Sequence, residues 1–124
     1  LYFPEHYQTN LQLFIHTYGA GNPQLTEQLL QMLLKEARRN SFLAKGLMDA
    51  MFFLKYPDIF RYADEMRQLF PNTQVFSVYA FHGAYMEKKY DEAYELAKSI
   101  IKKYHEQDIF EKFIKAYEAG NFKK

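Results

Sequence analysis

Apolar residues fall in one register at four places along the chain. Leu11, Phe14, Ile15 and Tyr18 recur as Ala44, Leu47, Met48 and Met51, then as Val78, Phe81, His82 and Tyr85, and again as Phe110, Phe113, Ile114 and Tyr117. The spacing inside each set puts its members on one face of an α-helix. The last members of successive sets lie 33, 34 and 32 residues apart. A near-constant period in this range predicts stacked helix-turn-helix repeats. Such a stack buries its core between neighbours and leaves a continuous concave wall for a partner.

A second helical pattern follows each turn. Leu29, Leu30, Leu33 and Leu34 stripe residues 25–37; Ile59, Tyr62, Ala63, Met66 and Leu69 stripe 58–70; Ala93, Leu96, Ala97, Ile100 and Ile101 stripe 91–104. The first turn, Gly19-Ala20-Gly21-Asn22-Pro23, has glycines to end one helix and a proline for the first turn of the next. Lys55-Tyr56-Pro57-Asp58 again places proline to open a helix, whereas Lys88-Lys89-Tyr90-Asp91 is marked only by the break in periodicity. Pro71-Asn72 separates the second and third repeats, and Asn40-Ser41 caps a helix beginning near Phe42. At the end, Gly120-Asn121 echoes Gly21-Asn22, so a fourth hairpin is started. Either the last helix caps the third repeat or the natural protein continues. The start at Leu1 instead of methionine fits an excised piece.

Residues 78–101, with Tyr85, Tyr90-Asp91-Glu92-Ala93 and Ala97, resemble a tetratricopeptide repeat, in which a tyrosine closes the first helix and Tyr-x-x-Ala opens the second. Lys55-Tyr56 with Ala63 is similar, and Pro71 falls where that family often places its inter-repeat proline. The resemblance implies an all-α, right-handed superhelix of about three antiparallel helix hairpins plus a terminal helix, a tetratricopeptide-like α-solenoid forming one domain over residues 1–124. Two departures from the family predict a flatter superhelix. The turns within hairpins are about one residue short, and the small residue beside the helix crossing is replaced by Ile15, Met48, His82 and Ile114.

Carried over by register, the side chains lining the groove are Gln12 and His16 from the first repeat, Phe42, Lys45, Asp49 and Phe52 from the second, and Phe76, Tyr79 and Met86 from the third. Glu111, Lys115 and Glu118 extend the wall. The asparagine and basic set of the family's carboxylate-binding members is absent, and Lys45 is expected to pair with Asp49 one turn on. The groove is therefore aromatic and suits a peptide or partner protein with apolar anchors. The competing reading is that Phe42, Phe52, Phe76 and Tyr79 are inter-repeat core.

Composition narrows the function classes. With 48% hydrophobic and 19% aromatic residues among 124, the chain buries a core without metal or disulfides. Sixteen basic and fifteen acidic side chains leave a formal charge of +1, which does not favour a nucleic-acid partner. The doublets Arg38-Arg39 and Lys102-Lys103 sit near the ends of second helices, where cations oppose the helix dipole. No apolar run approaches the roughly 18–20 residues of a membrane span, and nothing at the start resembles a signal peptide, so cytoplasm is the default.

Catalytic patterns are missing too. Cysteine is absent, which excludes thiolate zinc and thiol nucleophiles. His6, His16, His82 and His105 are dispersed, with His82 on the expected core face, and His105-Glu106-Gln107-Asp108 falls at an inter-repeat turn as solvated cap chemistry. Ser41, Ser77 and Ser99 lie outside any nucleophile motif, and no glycine-rich phosphate loop follows a strand. The reading is a binding scaffold with no catalysis, cofactor or metal. Its alternatives are a regulatory or sensor domain of a larger protein, or self-association through the C-terminal helix around Phe113 and Tyr117.

Overall fold

A computed structural model of the chain describes residues 5–104 and 108–122. Seven α-helices and no strand occur among them: α1 (Glu5–Gly19), α2 (Pro23–Ala37), α3 (Ser41–Leu54), α4 (Ile59–Leu69), α5 (Gln74–Met86), α6 (Tyr90–Tyr104) and α7 (Asp108–Glu118). The chain divides into two compact units, Leu1–Pro57 and Asp58–Lys124. The second expected hairpin therefore has one helix in each unit. No helix among the described residues is long and apolar enough to cross a membrane.

The repeat is written most clearly in how helices stop. At the end of α1, Gly21 N–H donates to the Tyr18 carbonyl and Asn22 N–H to Thr17, with Gly21 at φ 75°. This Schellman arrangement closes the last turn with a left-handed residue and satisfies carbonyls that have no partner inside the helix. It recurs after α3, where Lys55 donates to Phe52 and Tyr56 to Met51; after α5, where Lys88 donates to Tyr85 and Lys89 to Ala84; and after α7, where Gly120 donates to Tyr117 and Asn121 to Ala116. The left-handed residues are Gly21, Lys55, Lys88 and Gly120. They follow the period of the hydrophobic register, and the third turn carries the motif although it has neither glycine nor proline.

Helix starts are less uniform. Asn22 caps α2 by accepting from Leu25 N–H at 3.3 Å, with Pro23 at the first helical position, and Asn40 caps α3 by accepting from Phe42 and Leu43 N–H at 2.9 and 3.3 Å. The segment before α4 breaks the pattern. Asp58 is left-handed (φ 60°) and makes no capping bond with its side chain, so Phe60 N–H turns instead to the carboxylate of Glu87, 2.9 Å away at the C-terminal end of α5. The extra left-handed residue coincides with the boundary between the units.

In the first unit, α1, α2 and α3 pack on one another. The core is Tyr7, Phe14, Leu30, Leu33, Leu34, Leu47, Met48 and Met51, each essentially without exposed surface. Tyr7 brings a hydroxyl into it and donates to the Leu43 carbonyl at 2.9 Å; burial, with Glu36 nearby, pushes this phenol well above its usual range. No buried side-chain nitrogen or oxygen among the described residues lacks a partner.

In the second unit, α5 packs on α4 and α6, and α6 packs on α7. The register expected for α5 is corrected here. Of Val78, Phe81, His82 and Tyr85 only Phe81 is buried, His82 and Tyr85 are exposed, and the buried stripe is instead Phe76, Ala80, Phe81, Gly83 and Ala84. The cause is backbone proximity. A Cβ at Gly83 would stand 2.9 Å from Phe60 Cα, so α4 approaches along the stripe that carries the least side chain. Ala63, Ala93 and Ala97 are likewise fully buried, while Leu69, expected in the α4 stripe, is exposed.

Between α6 and α7 a tyrosine pair supplies the contact. The Tyr94 and Tyr117 rings stack at 4.2 Å and 14°, and each hydroxyl donates to a carboxylate on the other helix, Tyr94 to Glu118 at 2.7 Å and Tyr117 to Asp91. Lys98 Nζ lies 4.3 Å from the centre of the Tyr94 ring and 3.2 Å from Glu95. The hydrogen bond to Asp91 favours the neutral phenol and pushes Tyr117 up to about 12. Stability from this group is complete below the ordinary phenol value of about 10 and is lost as pH climbs through the raised one. The denaturant midpoint of the wild type should therefore fall more steeply between pH 10 and about 12 than that of Tyr117→Phe. Parallel falls in the two proteins would show that this bond is not coupled to folding.

Candidate functional site

The side chains expected along the groove do not share one fate. In the first unit Gln12 and His16 are exposed on α1, and Phe42, Lys45 and Asp49 are exposed on α3. Lys45 Nζ meets Asp49 Oδ2 at 3.0 Å, the intrahelical pair its spacing implies. Phe52 is half-buried, and the outward position belongs to its neighbour Phe53, which is 77% exposed. Phe53 lies about three turns from Phe42 and so on the same stripe, a spacing that could have found it.

In the second unit Phe76 is core and not wall. It has no accessible surface, because its ring fills the start of the α5 stripe against Phe70 (5.5 Å between centroids) and Tyr79 (6.3 Å). Tyr79 is half-buried and Met86 is exposed at the end of α5. Glu111 and Lys115 lie 3.5 Å apart, and Glu118 is engaged by Tyr94. Phe113 is buried, and Tyr117 is half-buried and stacked on Tyr94.

A concave site does occur in this unit, built in part from Phe81, His82, Tyr85 and Phe113 of the expected core face. Phe81, His82 and Tyr85 of α5 face Ile109, Lys112 and Phe113 of α7 across a cleft of about 360 Å³, closed at one end by Phe122. The rings meet edge-on: Phe81 with Phe113 at 5.2 Å and 84°, Phe81 with Phe110 at 5.0 Å and 78°, Tyr85 with Phe113 at 5.8 Å and 69°. That geometry sets the positive edge of one ring against the negative face of the next. Phe122 arrives because Gly120 (φ 84°) reverses the chain after α7, bringing its ring to 4.9 Å from Phe113 and 4.6 Å from Tyr90. The apolar residue after a left-handed helix stop was the available signal for this contact.

The cleft stays partly open, since Tyr85 is 45% and Ile109 57% exposed. Two polar groups border it. The His82 imidazole lies edge-on to Phe81 at 5.4 Å, and partial desolvation of the otherwise exposed ring lowers its pKa from the ordinary value. Lys112 forms no ion pair among the described residues, although Asp108 and Glu111 are close by. An apolar concavity of this size with a few polar groups at its border is the usual form of a binding site.

A second concavity is lined mainly by carboxylates already engaged within the fold. The groove between α4 and α6 presents Asp64, Asp91, Glu92 and Glu95, but Asp64 pairs with Arg67 at 2.6 Å, Asp91 accepts from Tyr117 and Glu95 pairs with Lys98. Among the described residues no three histidine, aspartate or glutamate side chains are placed to hold a metal ion. His6 Nε2 lies 3.1 Å from Glu36, and His105, Glu106 and Gln107 lie outside the described residues. No protein-family model matches this sequence, and comparison with curated proteins finds no relative.

Proposed function

We propose that the chain is a protein-interaction module of tetratricopeptide-like helix hairpins, winding as a right-handed superhelix and binding a peptide of a partner protein without turnover. The observation that carries this reading is the cleft lined by Phe81, Tyr85, Ile109, Phe113 and Phe122. It takes the apolar anchor of the peptide, and Lys112 and the His82 imidazole meet its polar backbone or flanking groups. The recurrence of one helix-stop motif at Gly21, Lys55, Lys88 and Gly120 supports the repeat architecture.

Panning a random peptide library on the whole chain tests the proposal. Enriched peptides should carry aromatic or long aliphatic anchors, and Ile109→Asp should weaken them by at least about tenfold, as expected for a central apolar contact. Its exposed position should leave the melting temperature nearly unchanged. Failure to enrich any peptide, or equal binding by Ile109→Asp and wild type, would overturn the assignment.

A further inference from the structure

The outward stripe of α3 reads Phe42, Lys45, Asp49 and Phe53, all exposed, with Phe53 at 77% and Phe42 at 54%. Phe42 and Phe53 leave apolar surface at the two ends of one helix face, where a partner can cover it. The order of the four residues identifies one, because the stripe is nearly a palindrome. Turn a second α3 antiparallel to the first about an axis over residue 47. Lys45 then faces Asp49 of the second copy, and Asp49 faces that copy's Lys45. Phe42 and Phe53 exchange places to within one residue, about 1.5 Å of helical rise. Such self-complementarity is the requirement of an isologous two-fold contact.

We infer that this face of α3 is a homodimerisation surface whose occupant is the same face of a second copy. The intrahelical Lys45–Asp49 pairs, 3.0 Å apart in one chain, rearrange on docking into a four-charge cluster of alternating sign flanked by phenylalanine contacts. Antiparallel packing also sets the two helix dipoles in opposition. One helix face is small compared with the roughly 1,200–2,000 Å² of a stable interface, so the dimer should form in the micromolar to millimolar range. This surface belongs to the first unit and shares no residue with the cleft of the second, so either assignment can fail without the other.

Sedimentation velocity of the whole chain across a concentration series up to millimolar tests the inference. The wild type should move from monomer to dimer, and Phe53→Asp should remain monomeric. Lys45→Glu alone and Asp49→Lys alone each set like charges across the axis and should weaken the dimer at least about tenfold, while their equimolar mixture restores opposite pairs and should dimerise again. All three substitutions are at exposed positions, and far-UV circular dichroism confirms that each variant is folded. The inference is overturned by a wild type that stays monomeric, by a dimer indifferent to Phe53→Asp or to the single charge reversals, or by a mixture that associates no better than its components.

Discussion

Phe76→Ala is expected to lower the stability of the second unit by about 3–5 kcal/mol, the usual cost of truncating a fully buried phenylalanine. Phe76 has no exposed surface and sits where the ring of Phe70 and the helix start at Thr73 converge. Collapse around the vacancy is limited, because its neighbours along the stripe are Ala80, Gly83 and Ala84, which carry no long side chain that could swing in. Chemical denaturation of the wild type and variant measures the difference. A loss below about 1 kcal/mol would place Phe76 on the surface, as the family resemblance implies, and would refute the buried stripe assigned to α5.

Gly83→Ala should cost about 1–3 kcal/mol even though alanine is the better helix former by about 1 kcal/mol. The added methyl would lie 2.9 Å from Phe60 Cα and 3.1 Å from its nitrogen, backbone atoms that cannot rotate aside, so α4 and α5 must move apart. Separation would also lengthen the bond by which Glu87 caps α4. Gly46 provides the control. A methyl there meets only Leu11 Cδ2 at 3.9 Å, an ordinary contact, so Gly46→Ala should stabilise by up to about 1 kcal/mol. Two mid-helix glycines thus give opposite signs, and equal effects at both would show that helix propensity outweighs the α4–α5 contact.

Much of the helical framework is legible in the residues. The patterns over 25–37, 58–70 and 91–104 correspond to helices Pro23–Ala37, Ile59–Leu69 and Tyr90–Tyr104, because long apolar stripes at helical spacing have few other solutions. The first turn and the Asn40 cap are equally readable, since asparagine, glycine and proline act through their own local bonds. The α5 register is not. Spacing alone admits both the larger set around Tyr85 and the smaller one around Gly83, and what decides between them is how near α4 comes, a property of two segments together.

The site is legible only in part for a related reason. Phe81, Tyr85 and Phe113 stand out as apolar positions, but whether such residues close into core or frame a cleft depends on Phe122 returning over Gly120 and on Ile109 remaining outside. Phe42, Lys45 and Asp49 are exposed, and their common face is readable from the spacing within one helix. Phe53 is overlooked beside Phe52, adjacent positions that differ by only about 100° around the axis.

The two units also differ in what fills them, and this bears on how each tolerates change. Leucine and methionine dominate the first interior, and their rotatable bonds let neighbours readjust when one side chain alters. Alanine and glycine line much of the second, where helix backbones meet almost directly. A seam of that kind has few internal degrees of freedom with which to absorb an added methyl group. Sequence drift should therefore accumulate in the first interior as compensated exchanges of one aliphatic residue for another, while the second stays confined to its smallest residues until α4 and α5 part.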